Sequence, residues 1–102
     1  MLNKATNMTN EDKQIILTVS GKDKMGIVAS ISNCLAKYKV NIEDIKQTLM
    51  QGHFVMFMLC DTSESELNFK EIKNALIEEG NRLEVEIWVQ KKGIFEKMHT
   101  IS

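Results

Sequence analysis

The run Phe54-Val55-Met56-Phe57-Met58-Leu59-Cys60 constrains this chain more than any other stretch. Its apolar residues are too few to cross a bilayer, which takes about 20. Bounded by His53 and Asp61, they read as a strand whose two faces both want to be dry. Such a strand needs a cover on each side. A chain of 102 residues builds one core, not two, so the covers must come from its own helices and, beyond them, from another molecule.

The elements around that run follow from local patterning. Residues 1–12 are small and polar and read as a flexible N-terminal extension with no chemistry of its own. Residues 13–20, rich in β-branched side chains and closed by Gly21, read as a first strand. Residues 25–39 set Ile27, Ile31, Leu35 and Tyr38 on one helical face, widened by Val28, Cys34 and Ala36, with Asp23 as the expected N-cap. A half-exposed second strand runs from Asn41 to Met50, and Gln51-Gly52 form a tight hairpin turn into the third strand, 53–61. After a polar break, residues 66–79 carry Phe69, Ile72, Ala75 and Leu76 on one side of a helix that Gly80-Asn81 should stop. Behind Arg82, Leu83, Val85, Ile87 and Val89 alternate with Glu84, Glu86, Trp88 and Gln90 as a fourth strand. Residues 93–102 form a short apolar tail with Ile94, Phe95 and Met98, expected to add a helical turn or two.

The order β-α-β-β-α-β is the ferredoxin-like arrangement of the α+β class, here over residues 13–92. Right-handed crossovers lay both helices on one face of a four-stranded antiparallel sheet of order 4-1-3-2. The other face is bare, with only the tail or a second subunit to cover it. This predicts a homodimer, closed by a two-fold axis.

Thirteen basic side chains stand against fourteen acidic ones, a net charge of -1, so no field draws nucleic acid or an anionic membrane to the chain. Cys34 and Cys60 lie in apolar segments without a CxxC partner, and with no signal-like start the expected address is the cytoplasm, with both thiols reduced. His53 and His99 lack Cys, Asp or Glu at metal spacing, so neither a metal nor a cofactor is expected. Acylphosphatase shares the topology but needs an arginine in the first strand-to-helix loop, and the only arginine is Arg82. The RNA-binding version needs aromatics on the first and third strands facing one way; here the first strand has none, and Phe54 and Phe57 point to opposite faces. Glu84 and Glu86 read as solvated edge charges, and Met50, Met56, Met58 and Met98 as adaptable packing.

One stretch is suited to recognition: Gly21-Lys22-Asp23-Lys24-Met25-Gly26-Ile27-Val28. First-turn amides lack internal partners and carry the positive end of the helix dipole, so a carboxylate or phosphate can sit there, with Gly26 allowing close approach. It is not a phosphate loop, because Ile27 and Val28 follow the second glycine where Lys and Ser or Thr are needed. The plainer reading of the same residues is a capped helix start in which Asp23 takes the free amides itself and Gly26 only packs closely.

A strand ending in Gly-x-Asp-x-x-Gly-Ile-Val, then an amphipathic helix, then Val40-Asn41-Ile42, resembles the ACT domain over residues 13–90. Gly21-Lys22-Asp23-Lys24, the stretch from Asn41-Ile42 to Asp44-Ile45 with Gln47 and Thr48, and Ile94-Phe95-Glu96-Lys97-Met98 further resemble stand-alone single-ACT-domain proteins, similar to the ACT domains of the glycine cleavage system transcriptional repressor. The resemblance implies a non-catalytic regulatory module binding an amino acid or similar metabolite between the subunits of a homodimer. The implied ligand positions are Asp23, Lys24, Met25, Gly26 and Ile27 from the turn, with Asn41 and Ile42 from the second strand. Gly21 stands where serine-binding examples carry an imidazole, and Met25 where proline is common, so serine specificity is not implied. A structural adaptor without a ligand is the alternative, and an acylphosphatase-like enzyme a third.

Overall fold

The structure, a computed structural model, describes residues 13–22 and 25–99, without the side chains of Met50, Met98 and His99. The expected extension 1–12, together with Asp23 and Lys24, lies outside the described residues. The elements are β1 (Gln14–Lys22), α1 (Ile27–Lys37), β2 (Asn41–Met50), β3 (His53–Asp61), α2 (Phe69–Leu83), β4 (Glu86–Lys91) and α3 (Lys92–His99). The sheet is antiparallel at every pairing, in the order β2-β3-β1-β4, which is the expected 4-1-3-2 read from the other edge.

Pairing register sorts the apolar run onto two faces. Leu17 is paired with Met58 and Val89, and Val19 with Met56 and Ile87, so these share the side on which Ile31 and Leu35 of α1 and Ile72 and Leu76 of α2 are also buried. Each such apolar side chain contributes about 1.5–3 kcal/mol by leaving water. The opposite side carries Ile16, Thr18 and Ser20 of β1, Val55, Phe57 and Leu59 of β3, and Trp88 of β4, where Phe57 remains 39% and Trp88 49% exposed. The tail is one short helix, α3, against β1 and β4; it leaves Phe57 and Trp88 open. Gln51 at φ 53° and Gly52 at φ 82° close the β2–β3 hairpin, the pair of left-handed conformations a two-residue type I′ turn requires.

Several boundaries differ from the sequence reading: β1 runs to Lys22 rather than Ser20, and α1 ends at Lys37 rather than Lys39. α1 begins at Ile27 rather than Met25, and the N-cap position is Gly26, not Asp23. α2 begins at Phe69 rather than Glu66, because Asn68 and Glu71 form a capping box: each side chain accepts from the other's backbone amide at 2.9 Å. α2 also runs through Gly80 to Leu83 and is stopped by Glu84 at φ 62°. Gly80 is an interior packing position: a Cβ there would lie 2.8 Å from both Cδ1 and Cγ1 of Ile87. Arg82 therefore sits in the last turn of α2 and hydrogen-bonds Glu79, and Leu83 belongs to the helix rather than the fourth strand.

Candidate functional site

The β1–α1 turn is shaped by its two glycines for different reasons. Gly21 is the last residue but one of β1, and a Cβ on it would lie 2.8 Å from Cγ1 of Val85; the position is filled by Val85, just ahead of β4. Gly26 has φ 89°, which side-chain-bearing residues adopt at a cost, and among the described residues beyond its chain neighbours no atom lies within 4 Å of the place its Cβ would occupy. Its carbonyl accepts from the Ser30 amide at 2.9 Å. Among the described residues no side chain caps α1, and its first turn holds no acidic residue, so the amides of Ile27, Val28 and Ala29, which have no partner within the helix, meet no side-chain acceptor among those residues. Met25 is fully exposed and Ile27 is buried beneath the helix.

Asn41 and Ile42 open β2 at the other end of the sheet. Asn41 is paired with Asp61, and Asp61 with Gln14, whereas Lys22 is paired with His53 and His53 with Met50. Eight residue steps along β1 separate these rows, roughly 26 Å at about 3.3 Å per residue. One copy of the chain therefore does not bring the turn and Asn41 together. Ile42 packs against the core, while Asn41 lines a hollow of about 510 Å³ with Ala36, Lys39, Val40, Asp61, Ser63 and Glu64. Asp61 Oδ1 accepts from the Ser63 amide at 2.9 Å and from its hydroxyl at 2.7 Å. The acidic lining of this hollow had no signature in sequence, since Asn41 and Asp61 meet only through strand pairing.

Other chemistry-bearing groups are dispersed. His53 Nε2 and Ser20 Oγ are 2.9 Å apart on the open face, a hydrogen bond between the two side chains. Cys34 lies in a groove of about 630 Å³ between α1 and α2, beside Glu79 and Arg82. Burial first, and the Glu79 charge second, push its thiol above the ordinary value. The Cys60 thiol, sealed in the core, is pushed up to about 12, again chiefly by burial. Both are free. Glu79 is held below the usual carboxylate range by its hydrogen bond from Arg82. Among the described residues no three His, Cys, Asp or Glu side chains converge as metal ligands, and no helix is long and apolar enough to cross a membrane.

Comparison with known proteins fits this geometry. Residues 13–90 match the family model of the ACT domain. A UPF0237 protein of Listeria innocua is 46% identical over 86 residues, covering 84% of this chain and 97% of that protein. The solved ACT domain protein from Streptococcus pneumoniae is 38% identical with a TM-score of 0.72, over 81% of this chain and 93% of that one. A structure described as a glycine cleavage system transcriptional repressor shares the fold at 21% identity and a TM-score of 0.67, with the match spanning 76% of this chain and 44% of that longer one. The chain therefore belongs to the ACT-domain family and, within it, to the UPF0237 proteins.

Proposed function

We propose that this protein is a non-catalytic, cytoplasmic regulatory module that binds an amino acid or similar small metabolite across the interface of a homodimer. The observation that carries the reading is the separation of its two recognition elements within one chain. β2 is an outer strand with a free edge and lies under α1. Pairing two β2 edges antiparallel about a two-fold axis reverses the second sheet end for end. The partner's Asn41 then arrives beside the start of α1, where Gly26 leaves the backbone uncovered. In that crevice the amides of Ile27 and Val28 and the amide group of Asn41 hold a ligand carboxylate, and Asp23 faces its ammonium group, with Lys24, Met25 and Ile42 at the margins. Regulation is then a coupling between ligand binding and the geometry or partner affinity of the dimer.

Isothermal titration of the purified chain against the twenty amino acids tests this. The reading expects binding by at least one of them and its loss in Asn41→Ala. Silence across the panel, or binding indifferent to Asn41→Ala, contradicts it.

A further inference from the structure

Edge pairing leaves Phe57 and Trp88 of the open sheet face exposed, and that face has the anatomy of an interface. Its centre is free of charge: Ile16, Thr18 and Ser20 on β1 lie beside Leu59, Phe57 and Val55 on β3. Charges lie on the flanking strands, with Glu86 on β4 and Asp44 and Lys46 on β2, and at the ends of the central strands, with Lys22 on β1 and Asp61 on β3. An apolar centre within a polar rim is how protein interfaces are built.

We infer that this face is an isologous contact with a second copy of the chain, the two copies related by a two-fold axis lying across the strands between the Ile16–Leu59 and Thr18–Phe57 rows. Asp44 is paired with Leu59 and Lys46 with Phe57, so the opposite charges of β2 occupy neighbouring rows of the same face. An axis between those rows exchanges them: each Asp44 meets the other copy's Lys46, each Leu59 its Phe57, each Ile16 its Thr18 and each Trp88 its Gln90. Both charges find a partner and no large side chain meets its own image. A protein of other sequence would need that pattern by coincidence, whereas a second copy carries it necessarily.

Area points the same way, in a step that rests on the edge pair of the proposed function. Four strands about 4.8 Å apart and six to ten residues long offer roughly 500–600 Å², short of the ~800 Å² per partner of a stable interface. Two sheets joined edge to edge offer twice that. An edge axis normal to the sheet at the level of Ile45 crosses the face axis at a right angle, and two such intersecting axes close the assembly at four copies.

Sedimentation velocity on the full chain tests this with three variants of exposed positions: Phe57→Glu, Lys46→Asp, and the exchanged pair Asp44→Lys with Lys46→Asp. The expected result is a four-copy species that falls to two copies in Phe57→Glu and Lys46→Asp and returns to four in the exchanged pair. A two-copy wild type that Phe57→Glu reduces to one copy supports the face contact and overturns edge pairing. A mass unchanged by Phe57→Glu, a single-copy wild type, or failure of the exchanged pair to restore assembly overturns the face contact. With the mass unchanged, a two-copy species leaves edge pairing standing.

Discussion

Gly21 and Val85 occupy one another's space: a Cβ on Gly21 would lie 2.8 Å from Cγ1, 3.2 Å from Cβ and 3.5 Å from Cα of Val85. The obstruction includes Cβ, which no side-chain rotation moves, so it does not swing away. Gly21→Ala should lose about 1–3 kcal/mol by overpacking, read by urea denaturation, and Gly21→His should fail to reach the native fold. A Gly21→Ala variant as stable as the parent would show that Val85 yields there.

Gly26 makes the contrasting case. Open space surrounds its missing Cβ, but φ is 89°, so Gly26→Ala carries only the left-handed backbone penalty, about 1–2 kcal/mol. The proposed ligand crevice predicts that the same variant loses metabolite binding by titration, because a methyl group then stands where the ligand approaches the amides.

The Asn68–Glu71 capping box sets the start of α2. Asn68→Ala should cost about 1 kcal/mol, and Asn68→Asp should retain most of it, since a carboxylate accepts the same amide and favours the helix N-terminus. Thermal unfolding followed by circular dichroism distinguishes the two variants.

Cys60 predicts a pH dependence. Its folded-state thiol is raised to about 12 from an ordinary 9.0, so between those values the folded chain holds a proton that the unfolded chain releases. Stability from this group is complete below about pH 9 and is lost as pH rises toward 12. Denaturation curves of the parent and Cys60→Ala should run parallel at neutral pH and converge above pH 9. At neutral pH the thiolate fraction is lowered on the order of a thousandfold, so a thiol reagent should label Cys60 only through unfolding.

Periodicity carried most of the fold. The alternation within Phe54–Cys60 survives as two faces because strand side chains alternate whatever their chemistry, and Gln51-Gly52 specified its turn because few residues accept two successive positive φ values. The end of α2 was hidden because Gly80 has two competing readings, helix stop and close packing. Only the approach of Ile87, a tertiary fact, selects the second. The spacing of Leu83 and Val85 continued the strand rhythm backward into a helix for the same reason. At the α1 start, Asp23 and Gly26 both fit a cap, and the left-handed Gly26 took the place. The turn and Asn41 were both visible as motifs. Their lying at opposite ends of the sheet follows from β1 and β2 running parallel, a property of the whole topology rather than of either motif.

Sedimentation equilibrium at micromolar concentration tests most directly whether the recognition elements are completed by a second chain. The account predicts a mass of at least twice 11.7 kDa. A single species at 11.7 kDa would leave Asn41 and the Gly26 turn at opposite ends of one sheet and contradict it.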